Sequence, residues 1–309
     1  MKIHQGLAEA KDDARPLVLA IGFFDGLHLG HREIVKAVMR LRRPGFRAAV
    51  LTFRNHPATH LRPERVPPLI STLEERVNLL ASTGIDELYL IPFDEQIASL
   101  EANRFLEDVL VGQLGLRALV FGENFRFGVG RKGDAALAKK ILSERGVAVA
   151  AVSPLLDAGE RVSSTRVRTA LAAGDFETVN RLLGEPYSLS GRVVLGHGRG
   201  HDLGFPTANL DVAPEKTLPR EGVYGVVARH DGRDYHGLVS IGTNPTFGAG
   251  AKTVEAWLLD FRRTIYGEQL AVRDFRFIRE QRAFTNVEDL IAQMKEDATH
   301  VHFPAFTLT

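Results

Sequence analysis

Two histidines, His28 and His31, are separated only by Leu29 and Gly30. An apolar β-rich run, Leu17–Ile21, precedes them, and Ile34, Val35, Val38 and Leu41 follow at helical spacing. The two imidazoles therefore stand where a strand turns into a helix. Backbone N–H groups and the positive end of the helix dipole make such a place receptive to anions. Histidines there can donate to phosphate oxygens, and Gly30 lets a nucleotide approach the backbone. The arrangement suits stabilisation of charge growing on the phosphates of ATP during attack at the α-phosphorus. A chance pair or half of a metal site are the competing readings. Zinc is disfavoured because cysteine is absent and no third ligand stands at helical spacing.

A second group lies far along the chain. In Val162-Ser-Ser-Thr-Arg-Val-Arg168, Ser163, Ser164 and Thr165 offer hydroxyls at a helix start, and Arg166 and Arg168 offer guanidinium forks that match phosphate. A plain helix cap with surface arginines is the bland alternative. A third group is the glycine-rich run from Gly196 to Leu210, in which Gly198, Gly200 and Gly204 precede Phe-Pro-Thr207-Ala-Asn209. Glycines there bring N–H groups onto phosphates, and Thr207 and Asn209 carry the hard oxygens that suit Mg²⁺. Ordinary turns of an all-β domain would look similar. Downstream, Glu255 interrupts an apolar strand, on the same face as Trp257 and Leu259 by alternation. It is either exposed at an edge or projects into a barrel interior or mouth as a general base for a hydroxyl nucleophile.

The elements that hold these groups fall into two regimes. Through about residue 183, buried strands at Leu17–Ile21, Arg47–Phe53, Glu87–Ile91, Ala118–Phe121 and Ala148–Val152 alternate with helical segments, which predicts a parallel sheet covered on both faces. Ser71 with Glu74 reads as a capping box opening one of those helices. After Leu183-Gly-Glu-Pro186 the rhythm changes. Tyr187–Val194, Gly222–Arg229, Tyr235–Ile241, Thr253–Leu259 and Gln269–Ile278 read as strands of an antiparallel sheet closing toward a barrel, followed by one helix opened by Thr285 and Glu288. The boundary is placed at 184–187, giving domains 1–184 and 185–309.

Composition is permissive. With Lys plus Arg at 39 against Asp plus Glu at 38, no whole-chain field draws nucleic acid or acidic membranes. Absence of cysteine removes disulfides, thiolate zinc sites and a cysteine nucleophile. No signal-peptide-like core or membrane-length apolar run is present, so a cytoplasmic enzyme is expected.

The histidine pair with the Ser-Ser-Thr-Arg-Val-Arg segment resembles the nucleotidylyltransferase superfamily. Gly22-Phe-Phe-Asp-Gly-Leu-His-Leu-Gly-His31, Thr52-Phe-Arg-Asn-His-Pro57 and Gly122-Glu-Asn-Phe-Arg-Phe-Gly128, with Arg131 and Gly133-Asp134, narrow this to the N-terminal module of prokaryotic bifunctional riboflavin kinase/FAD synthetases. The Pro-Thr-Ala-Asn motif with Glu255, Gly222-Val-Tyr-Gly225 and Ile241-Gly-Thr-Asn-Pro-Thr-Phe247 resemble the riboflavin kinase module over about 187–303. The resemblance implies a Rossmann-like domain followed by a kinase barrel, two ATP-dependent steps and Mg²⁺. Riboflavin would become FMN, and AMP would then pass from ATP to FMN, giving FAD and pyrophosphate.

By the same resemblance, Gly22, Phe23, Asp25, His28, His31, Ser164, Thr165 and Arg168 hold ATP in the first site, with Phe53, His56 and Asn124 near the flavin. Gly198, Gly204, Thr207 and Asn209 hold Mg–ATP in the second, Glu255 acts as base and Arg279 reaches either the flavin or the surface. Trp257 stands where many relatives carry His, and Asn124 where many carry Asp. Transfer RNA synthetases share a related histidine turn but pair it with a lysine loop and a basic RNA-binding region. A module that senses flavin or nucleotide without turnover is the alternative from another class, and homo-oligomerisation is left open.

Overall fold

A short strand β1 (Lys2–His4) and five apolar strands, β2 (Leu17–Ile21), β3 (Arg47–Phe53), β4 (Glu87–Ile91), β5 (Leu116–Gly122) and β6 (Ala148–Val152), form one sheet in the order β1-β4-β3-β2-β5-β6. The structure, a computed structural model, describes residues 1–7, 13, 15–195, 207–243, 252–284 and 286–301. Every pairing in this sheet is parallel. The connections carry α1 (Leu29–Leu41), α2 (Ala58–Leu61), α3 (Leu73–Ala81), α4 (Glu95–Ala98), α5 (Ala102–Arg104) with its π-helical continuation Phe105–Gln113, and α6 (Ala135–Ser143).

Strand alternation supplies two cores, which is why these strands read as unbroken apolar runs. Leu19, Ile21, Leu51 and Tyr89 pack with Phe105, Leu106 and Leu142 on one face. Val18, Ala20, Val50 and Val120 pack under Ile34, Val35 and Val38 of α1 and Leu80 of α3 on the other. Leu41, expected among the buried positions of α1, is exposed because the helix ends there, and Ala37 takes the fourth buried place.

The capping box of α3 lies one residue later than expected. Thr72 Oγ1 accepts from Glu75 N at 3.2 Å, and Glu75 Oε2 accepts from Thr72 N at 2.9 Å. Ser71 is buried and serves the histidine turn instead.

A small hairpin of β7 (Leu156–Asp157) and β8 (Glu160–Arg161) leads to α7 (Ser164–Ala173) and α8 (Phe176–Leu183), which ends on Gly184 at φ 76°. Then β9 (Ser188–Val194), β10 (Thr207–Val212), β11 (Gly222–His230), β12 (Arg233–Thr243), β13 (Lys252–Leu258) and β14 (Gln269–Arg279) close an antiparallel barrel in the order β10-β13-β12-β11-β14-β9. Strand β10 is an addition to the sequence reading, where its first residues were absorbed into the glycine-rich run. Ala208, Leu210, Val239, Ile241, Val254, Ala256 and Leu258 are buried and fill the interior.

The last helix, α9 (Val287–Thr299), is capped by Asn286, whose Oδ1 accepts from Asp289 N at 2.8 Å. Thr285, expected as the cap, lies outside the described residues, and Glu288 is exposed in the first turn. Arg279 of β14 grips α9 through a bidentate pair with buried Asp297 at 2.8–3.1 Å.

The chain divides into two compact units, Met1–Ser164 and Thr165–Thr309. The division precedes the change of sequence rhythm because α8 packs on the barrel. Phe176 stacks on Phe275 with centroids 4.9 Å apart and meets Tyr224 edge-on at 5.6 Å.

Candidate active sites

In the parallel sheet the connections reverse direction between β2 and β5, the place where open α/β sheets collect ligands. A cleft of ≈ 710 Å³ opens there, beyond Ile21 at the end of one strand and Gly122 at the end of the other. His28, His31, Arg161, Ser163 and Ser164 are among its polar lining, and Phe23, Phe53, Phe93, Phe105, Phe125 and Phe127 are among its apolar lining. The chemistry of a phosphate-bearing aromatic ligand is thus represented in one cavity.

The turn that carries the histidines is held in an unusual backbone path. Phe24 is left-handed at φ 58°, and Gly26 has φ 70°. A Cβ at Gly26 would lie 2.6 Å from the Ile70 side chain, so glycine is required both by conformation and by space. Asp25 is buried, and its Oδ1 accepts from Ile70 N at 2.9 Å and Ser71 N at 3.1 Å. Ser71 Oγ in turn accepts from Gly26 N at 2.9 Å. These bonds make Asp25 part of the framework of the turn.

His28 caps α1: its Nδ1 accepts from His31 N at 3.2 Å. An accepting Nδ1 carries no proton, so the neutral ring keeps its proton on Nε2 as a donor. The two rings stack with centroids 3.6 Å apart, a separation that disfavours two positive charges. Burial, then the proximity of His28, Arg161 and Arg76, holds His31 well below the ordinary imidazole value. His31 Nδ1 is buried and has no hydrogen-bond partner among the described residues. The pair is therefore a neutral donor array at a helix start, suited to oxyanions.

Ser164 Oγ donates to Asp25 O at 3.3 Å, fastening the first residue of α7 to the same turn. Thr165 and Arg168 follow on α7 in the second unit, with Arg168 one helical turn beyond Ser164. Arg166, also on α7, is half-buried.

Phe53 lines the cleft and meets Phe93 edge-on at 5.1 Å. His56 lines it too, with Nδ1 accepting from Ala58 N at 3.0 Å and its ring edge-on to Phe23 at 4.6 Å. Asn124 is exposed at the cleft. Sequence reasoning gave no role to Phe93, although Asn55, inside a quoted motif, fixes it by donating to Phe93 O and accepting from Phe93 N, both at 2.9 Å. Phe125 and Phe127 stood inside a quoted motif without a role of their own, and Arg161 was not singled out. The signal for Phe127 was Gly133, where a Cβ would fall 2.6 Å from that ring.

In the barrel, strand register joins two residues 46 positions apart: Asn209 of β10 stands directly opposite Glu255 of β13. Thr207 pairs with Trp257 on the same side, and Ser240 of β12 is Glu255's other partner. Directly opposed residues share a face, so Thr207, Asn209, Ser240 and Glu255 lie together. That face is opposite the filled interior. The interior placement left open for Glu255 is thereby excluded, because Val254, Ala256 and Leu258 occupy it.

All four of these polar residues are half-buried. Gly198, Gly200 and Gly204 lie outside the described residues. Arg279, expected near flavin or at the surface, has its guanidinium committed to Asp297. Among the described residues no group of three or more His, Asp or Glu side chains forms a metal-binding cluster, and no helix is long and apolar enough to cross a membrane.

Comparison with known proteins agrees with this division. A family model described as FAD synthetase matches residues 10–166, and one described as riboflavin kinase matches 183–303. Proteins named bifunctional riboflavin kinase/FMN adenylyltransferase are similar along most of their length. That of Listeria monocytogenes is 37% identical over 91% of this chain and 90% of its own, and that of Bacillus subtilis 34% identical over 93% and 92%. A crystal structure described as a macrolide-efflux protein from Streptococcus pneumoniae matches with a TM-score of 0.85, at 30% identity and 97% coverage of both chains. The chain belongs to the family of bifunctional riboflavin kinase/FMN adenylyltransferases.

Proposed function

We propose that the chain performs both reactions of its family at two separate sites, making FMN in the barrel and FAD in the cleft of the parallel sheet. The observation that carries the second step is the stacked His28–His31 pair at the start of α1, inside a cleft that also presents several aromatic rings. An FMN phosphate oxygen attacks the α-phosphorus of ATP, and the bond from that phosphorus to the bridging oxygen of pyrophosphate breaks. Negative charge grows on the departing phosphates, where the Nε2–H of His28 and the neutral His31 ring supply fixed donors. No covalent enzyme intermediate is needed, so positioning and charge stabilisation carry the rate. Phe23, Phe53 and His56 offer ring surfaces to the bound heterocycles. Asn124 at the cleft is assigned to the flavin.

In the barrel, Glu255 is assigned as the base that takes the proton from the 5′-hydroxyl of riboflavin as it attacks the γ-phosphate of ATP. Its support is the register that places it beside Asn209 and two positions from Thr207's partner Trp257. Thr207 and Asn209 are an oxygen-only donor pair on one face, which fits Mg²⁺ delivered with ATP, an ion that usually takes few protein ligands. Bound there, the ion would neutralise phosphate charge. The functional boundary is placed between Gly184 and Glu185, and both reactions are placed in the cytoplasm, which supplies ATP.

The test is a time course with riboflavin, ATP and Mg²⁺, resolved by chromatography. FMN should appear first, then FAD with pyrophosphate. Binding of both ligands without any product would instead support the sensing module.

A further inference from the structure

Behind the wall of the cleft lies a charged side chain that neither step uses directly. Arg76 of α3 is 1% exposed. Its Nη1 donates to Phe23 O at 3.1 Å, and its Nη2 donates to Phe53 O at 2.7 Å and Arg54 O at 3.3 Å. Phe23 opens the histidine turn after β2, and Phe53 ends β3. One guanidinium therefore joins the C-terminal ends of two neighbouring strands at the points where their loops leave the sheet.

The same group lies 4.1 Å from the centroid of the Phe23 ring, whose edge-on neighbour is His56. Thr52 Oγ1 adds a second bond to Phe23 O at 2.9 Å. Both rings line the cleft, but Arg76 does not. A cation this deeply buried is retained at a desolvation cost, which pushes the guanidinium down to about 10 and leaves it charged at neutral pH. The N-terminus of helix α3 is secured by Thr72 and Glu75 without using the Arg76 side chain.

We infer that Arg76 is a positioning residue for adenylyl transfer: it fixes the Phe23 turn against the end of β3, and through that turn sets where His28 and His31 meet the phosphates. Three carbonyls and one ring define its location, a fork geometry that an ammonium can meet only in part. The inference rests on the assignment of adenylyl transfer to this cleft. A misplacement of catalytic donors by about 1 Å is worth a loss of order 10²-fold in rate.

The experiment uses the full chain with Arg76→Met and Arg76→Lys, each assayed for FMN-to-FAD conversion and for riboflavin-to-FMN conversion, with thermal unfolding recorded. Arg76→Met should lower kcat for FAD formation about 10²-fold while KM for FMN changes by less than about threefold. Arg76→Lys should recover part of kcat, and the kinase step should be unchanged in both. Three outcomes overturn the inference. They are wild-type FAD synthesis in Arg76→Met, equal losses in both variants, and loss of kinase activity along with adenylyl transfer. Absence of FAD synthesis in the wild type would instead sink the underlying assignment.

Discussion

At the scale of single residues, the histidine turn is where type and spacing spoke most directly. A pair of imidazoles at a strand-to-helix junction implied an anion site, and the structure adds the burial that shifts one of them. His31 is held well below its ordinary value, chiefly by burial. The unfolded chain takes up a proton near the ordinary imidazole value of 6.5 that the folded chain refuses. Stability should therefore be unaffected by this group above that pH and fall as the pH drops through it toward the lower folded value. Thermal unfolding followed from about pH 8 to about pH 5 should show that decline, and His31→Phe should flatten it. Replacing His28 or His31 with Ala should slow FAD formation roughly 10²–10³-fold, as expected for loss of an oxyanion donor. Asp25 was harder to place from sequence. Its bonds to Ile70 and Ser71 depend on a segment 45 residues away, which the local motif does not show.

At the scale of elements, the central strands were legible because burial on both faces leaves few polar positions in them, whereas β6 at the sheet edge is only half-buried to exposed. Strand β1 was not legible. It has three residues and no period, and side chains specify it. His4 Nε2 and Glu87 Oε2 approach to 3.2 Å, while His4 stacks on Tyr89 with centroids 4.6 Å apart. Glu87 also accepts from Arg47 Nη1 at 3.0 Å and the Tyr89 hydroxyl at 2.7 Å. Arg47, Glu87 and Tyr89 are all buried. Glu87→Ala would leave the buried Arg47 guanidinium with only the more distant Asp13 carboxylate at 3.7 Å, a change that costs up to about 3–5 kcal/mol. The urea midpoint should fall accordingly, and Glu87→Gln should fall less, since its carbonyl oxygen can still accept. Strand β10 escaped notice for a related reason. Its alternation is only six residues long and begins inside a motif whose glycines read as a turn.

For the molecule as a whole, the family resemblance indicated two chemistries, and the topology explains why they need different scaffolds. A parallel sheet places loops and a helix start at one edge, which serves pyrophosphate as a leaving group. An antiparallel barrel instead sets distant residues side by side through register, as with Asn209 and Glu255. That pairing was invisible in the sequence because it depends on the unrecognised strand β10. Each constellation draws on its own set of strands, so the two activities should be separable. Glu255→Gln should abolish FMN formation from riboflavin, while supplied FMN is still converted to FAD at the wild-type rate. His28→Ala should do the reverse, with FMN accumulating and little FAD following. Mixing the two variants in one reaction should then restore FAD synthesis from riboflavin, because FMN released by one protein can be used by the other. Product analysis of the mixture checks this, and failure of the mixture to make FAD while each variant keeps its remaining activity would mean that FMN passes between sites without release. A variant at either site that silenced both steps in a folded protein would refute the division into two sites.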